Sequence, residues 1–276
     1  MIRKVNLEDI DSVVKFLKEE IEDFDEDVLK EELGNIDNSS LIYEENSKIF
    51  GFSIAIIRNR ELKRGEVILY VSEINRRNGI GGKLYLYAQD YLKKIDVKYI
   101  RIEIRTEKNY TGDFLINRGL NKWFGYNKML YSGGKLTCNI QLVNYNDNYY
   151  EKYKKVCEEC FFKMRKELGF EPYRVCSSRE NLMENKSKIF LLLDGEEVIC
   201  SVLLSDNEID DLIVNEKYRR QGYAKKLINF SINYYQTSGV KNIYLGVTDW
   251  NVNAIKLYED SGFNIVSKCE VYRSII

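Results

Sequence analysis

Sliding this 276-residue chain along itself by 143 residues lays 69–120 on 212–263 without a gap, and 13 of the 52 positions are identical. About four would coincide by chance at this composition. The matches include Leu69/Leu212, Val71/Val214, Arg76/Arg219, Arg77/Arg220, Gly79/Gly222, Lys83/Lys226 and Gly119/Gly262. They fall on apolar strand and helix positions and on one glycine-bearing turn, so the chain is a duplicated fold. Whatever one copy builds, the other must build with the same spacing.

The periodicity of each copy predicts that fold. In the first, 40–44 and 48–58 read as a hairpin, 67–71 as a strand, 82–94 as a helix and 98–105 as a strand. In the second, 189–193 and 198–204 flank an Asp194-Gly195 turn. A strand at 209–214, a helix at 225–237, a strand at 242–247 and a helix at 252–261 follow. Helices at 9–22, 26–34 and 148–168 open the two copies. Hairpins joined to strand–helix–strand units predict an α/β fold of the α+β type, a mixed central sheet flanked by helices, built twice. The expected domains are 1–134 and 135–276, joined near Ser132-Gly133-Gly134.

Composition removes several classes of function. The 42 Lys+Arg against 43 Asp+Glu leave no basic excess for nucleic acid. The longest apolar run, Ile49–Ile57, is too short for a membrane span. The first residues carry no apolar leader core, so a cytoplasmic protein is expected. Histidine is absent altogether, which excludes Ser-His-Asp and Cys-His catalysis and imidazole metal sites. Acid–base work falls to Asp, Glu, Tyr, Lys or Cys. Of the six cysteines, Cys157 and Cys160 have metal-like spacing, but on a predicted helix with no second pair they read as core packing, and no metal is expected.

The repeated turn is strand, four residues, R-x-x-G-x-(G/A), then helix. It occurs as Arg76-Arg77-Asn78-Gly79-Ile80-Gly81 and as Arg219-Arg220-Gln221-Gly222-Tyr223-Ala224. Backbone N–H groups at a helix start, with a glycine that lets a phosphate approach, form an anion cradle. Leu84 stands where a Walker loop needs Ser or Thr, and the second copy lacks the third glycine of a dinucleotide fingerprint. Further on, Asn251-Val252-Asn253-Ala254-Ile255-Lys256-Leu257-Tyr258-Glu259-Asp260-Ser261-Gly262-Phe263 reads N-x-x-A-x-x-L-Y-x-x-x-G-F. The two motifs together closely resemble the GNAT superfamily of acyl-CoA-dependent N-acyltransferases, and the chain resembles a tandem member.

That resemblance implies acetyl-CoA as cofactor. Arg219, Arg220, Gln221, Gly222, Tyr223, Ala224 and Lys225 would cradle its pyrophosphate, Val214 would meet the pantetheine arm and Asn251 would touch the cofactor. Arg76, Gly79 and Gly81 mark a possible second site. Tyr258 would protonate the departing thiolate. For the base, the strand carboxylates Asp210, Glu208 and Asp211 are candidates, Asp210 first; alternation sends Glu208 and Asp210 to one face and Asp211 to the other. The backbone N–H near Val214 fits the oxyanion. By the same sliding, Tyr258 faces Leu115, Asn251 faces Lys108, and Asp210 and Asp211 face Val67 and Ile68. The first copy even carries the more permissive glycines, Gly79, Gly81 and Gly82. The expectation is a catalytic second copy and a first copy that does no chemistry.

Direct attack by the amine is expected over a covalent route through Cys200 or Cys269, which lack a histidine partner. The rivals are two active copies, or an acyl-CoA-binding sensor or scaffold. The acceptor is open: a small molecule or a peptide amine. The acidic run Glu19, Glu20, Glu22, Asp23, Asp25, Glu26 and Asp27 reads as a solvated helix face. Tyr145, Tyr149, Tyr150, Tyr153, Phe161, Phe162, Phe170 and Tyr173 lie where the family shapes its acceptor site, or pack in the core. Oligomeric state is left open.

Overall fold

The computed structural model describes residues 1–21, 24–106 and 112–276. Glu22, Asp23 and Lys108 lie outside them. Along the chain run β1 (Ile2–Lys4), α1 (Ile10–Glu20), α2 (Glu26–Gly34), β2 (Ser39–Glu45), β3 (Lys48–Asn59), β4 (Arg64–Val71), α3 (Ile80–Lys94), β5 (Tyr99–Arg105), α4 (Asp113–Ile116) and β6 (Asn121–Tyr131). There follow β7 (Val143–Asn144), α5 (Tyr150–Glu167), α6 (Arg179–Glu184), β8 (Ile189–Asp194), β9 (Glu197–Leu204), β10 (Glu208–Val214), α7 (Tyr223–Thr237), β11 (Tyr244–Thr248), α8 (Val252–Glu259) and β12 (Phe263–Ile275).

The chain divides into two compact units. Of the described residues, the first comprises 1–104, 112–123 and 271–276; the second comprises 105–106 and 124–270. Most of β6 therefore belongs to the second unit, and the end of β12 to the first.

In the first unit the strand order is β1-β2-β3-β4-β5 and then the end of β12. The first three pairings are antiparallel and β4–β5 is parallel. Phe52, Ile54 and Ile56 of β3 face Val13, Val14, Leu17, Leu29 and Leu33 of α1 and α2. Ala55 faces the other way, into the cluster of Tyr85, Ala88 and Leu92 from α3. The long apolar run is thus a strand covered on both faces, which removes the need for polar alternation. No described helix is long and apolar enough to cross a membrane.

The second unit orders its strands β12-β6-β11-β10-β9-β8-β7. Ile209, Leu245, Val247 and Met129 pack with Leu227, Ile228, Ile232 and Tyr235 of α7. On the opposite face Ile213, Leu191 and Val198 pack with Tyr153, Val156 and Cys157 of α5. Tyr145 and Tyr153, 5.4 Å apart and edge-on, belong to this core. Sequence periodicity recovers the hairpins, both strand–helix–strand units and α8; it misses α4, β6, α6 and β12. Buried Asn127 and Ser267 interrupt the apolar alternation of β6 and β12, so their period is faint.

Candidate active site

The parallel strands at the heart of each unit part company. β10 pairs with β11 only at Glu208↔Tyr244 and Ile209↔Leu245, then continues to Val214 while β11 continues to Thr248. In the first unit β4 and β5 pair from Arg64↔Tyr99 to Glu66↔Arg101 and then separate. Beyond these pairs no ladder pairing joins the two parallel strands among the described residues. An extended chain carrying amides can fill such a gap with ladder-like hydrogen bonds.

A helix start lies beyond each opening. α7 begins after Gly222, whose φ of +82° is the left-handed region that favours glycine, and Arg220 two residues before has φ +62°. No side chain caps the helix, and the first intrahelical bond is Lys226 N–H to Gly222 O at 3.1 Å. The N–H groups of Tyr223, Ala224 and Lys225 therefore lack helical acceptors. A Cβ built on Gly222 meets nothing within 4 Å, so the turn beside these donors is open, as it is at Gly79 of the first copy. This suits a pyrophosphate, through the helix dipole and three converging donors.

The first unit repeats the turn with Gly79 at φ +76° and Arg77 at +66°. Its extra glycines serve a different purpose from the one expected. A Cβ on Gly82 would stand 2.6 Å from Arg118 Nη2, and one on Gly81 would touch Phe114 at 3.4 Å. Arg118 stacks 3.7 Å from the Phe114 ring centre. The room those glycines leave is already filled by side chains.

The duplicated arginines turn back on their own strands. Arg219 Nε donates to Val214 O at 3.2 Å, and Arg76 Nε donates to Val71 O at 3.0 Å. Cys160 Sγ also donates to Val214 O, at 3.2 Å. Asn251 caps α8 by accepting from Ala254 N–H at 3.2 Å. Arg219 and Asn251 thus hold the strand end and the helix start, while Arg220 and Lys225 are exposed beside the cradle.

The carboxylates differ from strict alternation. β9 and β10 are in register at Asp210↔Leu203 and again at Ile213↔Ser201, so β10 carries one extra residue. Asp211, at φ +42°, lies in this bulge. Ile209 joins the α7 core but Ile213 joins the α5 core, whereas an unbroken strand would put both on one face. The bulge reverses the parity, and Asp211, expected opposite Asp210, instead lies on the α5 side. There its charge reaches Tyr153, Cys157 and Cys176.

The three groups have different surroundings. Glu208 is half-buried, and its carboxylate makes no hydrogen bond or ion pair among the described residues; burial, then the charge of Asp210, pushes its carboxyl up, and Lys128 pulls it back. Asp210 accepts from Ser205 Oγ at 3.0 Å. Asp211 is open to solvent yet crowded by protein, and that partial desolvation, followed by the charge of Asp210, pushes it up. Tyr258, on α8, packs edge-on to Phe263 with ring centres 6.3 Å apart. Burial pushes its phenol up to about 12, and its hydroxyl bonds to no described residue. Cys200 is fully buried, its thiol pushed up to about 12, and Cys269 is buried as well.

The family model of the acetyltransferase (GNAT) family matches residues 6–113 and again 150–263. The chain belongs to this family, and carries its domain twice. A [ribosomal protein bS18]-alanine N-acetyltransferase of Haemophilus ducreyi is 34% identical over 97 residues, 33% of this chain and 67% of that one. Other curated relatives are matched over 28% to 51% of their own lengths. Among solved structures, a GCN5-related N-acetyltransferase from Sphaerobacter thermophilus superimposes with a TM-score of 0.78 at 13% identity, covering 100% of this chain and 95% of that one. A tandem GNAT protein of the clavulanic acid biosynthesis pathway gives 0.69 at 11%, covering 100% and 98%. These two establish the fold.

Proposed function

We propose that the protein is an acetyl-CoA-dependent N-acetyltransferase whose chemistry takes place in the second copy. The observation that carries this is the β10 bulge beside the open, uncapped start of α7. It joins carboxylates, freed backbone groups and an anion cradle in one unit, and β4 has no counterpart: its register with β3 is unbroken from Gly51↔Val71 to Ile57↔Gly65.

Acetyl-CoA, when bound, supplies an activated acetyl thioester. The N–H groups of Tyr223, Ala224 and Lys225 would hold its pyrophosphate, with Arg220 adding charge. The β10 edge from Asp210 to Val214, where Val214 O already accepts from Arg219 Nε and Cys160 Sγ, would offer its remaining backbone groups to the pantetheine amides. An amine must lose its proton before it attacks, and Glu208 is the preferred base because its carboxylate is unpaired and half-buried, and burial raises its affinity for a proton. Asp210, tied to Ser205, and Asp211 are the alternatives. A backbone N–H near Val214 would face the developing oxyanion. Tyr258, whose phenol stays protonated at neutral pH, would give its proton to the departing thiolate.

The test is titration calorimetry of acetyl-CoA into the wild type and Gly222→Glu. The variant places a side chain in the open space and a negative charge where the phosphates belong. Loss of binding supports the second cradle; undiminished binding overturns it. Gly79→Glu, run beside it, should leave binding unchanged.

A further inference from the structure

The face of the second unit opposite α7 carries a charge arrangement that acetyl transfer alone does not require. Met129 and Leu245 point into the α7 core, so their neighbours Lys128, Tyr244 and Gly246 point the other way, as does Glu208 beside Ile209. β11 runs between β10 and β6, and Lys128 lies opposite Gly246. Glu208 Oε1 lies 3.5 Å from where a Gly246 Cβ would stand. Lys128 Nζ lies 4.6 Å from the Tyr244 ring centre.

A carboxylate from one flanking strand and an ammonium from the other therefore both lean over β11, above a residue with no side chain. Each is half-buried, and they make no ion pair with each other or with any other described residue. The described carboxylate at the matching register of the first unit is fully paired: Glu66 is bound by Arg58 and Arg101. Half-buried charges of opposite sign are costly to leave unpaired. A pair held apart on an open face suits a ligand that carries both complementary charges.

Resting on the reading of this face as the acceptor side, we propose that the acceptor is a free α-amino acid, its amine directed to Glu208 and its carboxylate held by Lys128. Two charge-assisted hydrogen bonds and the short span of an α-amino acid bridge roughly 8 Å, within reach of side chains on strands about 9–10 Å apart. A peptide N-terminus offers the amine but a neutral amide in place of the carboxylate. Tyr244 forms the floor between the two charges and keeps Lys128 in place by its ring face.

The experiment compares the twenty common amino acids with their C-terminal amides, which keep the amine and lose the carboxylate. With acetyl-CoA saturating, kcat/KM is read by mass spectrometry of the acetylated product. In the wild type at least one free amino acid should exceed its amide by about tenfold or more, the worth of one charge-assisted hydrogen bond. Lys128→Met should collapse that ratio to about 1, and Lys128→Arg should restore most of it. Amides used as well as acids, or a Lys128→Met loss equal in both series, overturns the proposal. So does the absence of turnover in both series while calorimetry still shows acetyl-CoA bound. Absence of acetyl-CoA binding in the wild type instead overturns the transferase reading beneath it.

Discussion

Glu66 and Glu208 occupy the same register position in the two copies. Glu66 of β4 pairs with Arg101 of β5, Glu208 of β10 pairs with Tyr244 of β11, and Arg101 and Tyr244 are themselves 143 residues apart. Sliding the sequence without a gap sets Glu208 against Gly65 instead, because the β10 bulge adds one residue on one side only. The first copy thus keeps the carboxylate but closes it down. Glu66 is 7% exposed and accepts from Arg58 Nε at 2.6 Å and Arg101 Nη2 at 2.7 Å.

Glu66→Gln should therefore act on stability and not on turnover. The change leaves two arginines short of a partner, each about 40% exposed, so water offsets part of the loss. Urea unfolding should show a loss of about 1–2 kcal/mol. Acetyl transfer per folded molecule should be unchanged; a large fall would place chemistry in the first copy.

Tyr258→Phe keeps the packing against Phe263 and removes one hydroxyl. Removing a general acid costs about 10²–10⁴-fold, so kcat should fall by that order with acetyl-CoA affinity unaltered. Leu115, its counterpart, is 2% exposed in the first core. Leu115→Ala should cost about 2–5 kcal/mol of stability with kcat per folded molecule retained. Full turnover in Tyr258→Phe would transfer the acid role elsewhere.

Glu208 sets a pH dependence whose sign follows from its environment. Burial and Asp210 raise its folded-state value, so the protonated form is the one folding favours. Its contribution to stability is complete below the ordinary carboxylate value and is lost as pH rises through the raised one. Glu208→Gln should therefore melt higher than the wild type at pH 8, with the difference closing toward pH 4. The same variant should remove the alkaline-rising limb of kcat/KM.

Cys200→Ser should leave turnover within about twofold, and no acetyl-enzyme should appear by intact mass. The thiol is fully buried and held protonated, and a thiol reacts as its thiolate. An accumulating acetyl-cysteine would overturn direct attack by the amine.

Much of this protein is legible in the order of its residues. The duplication, the helix start at Gly222, the Tyr258 motif and the absence of histidine are local or compositional, and the core elements follow from apolar period. Three features are decided only by tertiary structure. The bulge at Asp211 depends on how β10 registers against β9, and a period-2 reading cannot see an inserted residue, so it assigns Asp211 to the wrong face. The occupation of Gly81 and Gly82 space by Phe114 and Arg118 depends on a segment more than thirty residues away. The pairing state of Glu66 and the unpaired state of Glu208 depend on what the neighbouring strands place beside them. Residue type and spacing name the groups that can do chemistry. Which of those groups remain free to do it is set by contacts between strands distant in sequence, because charge and packing act through space.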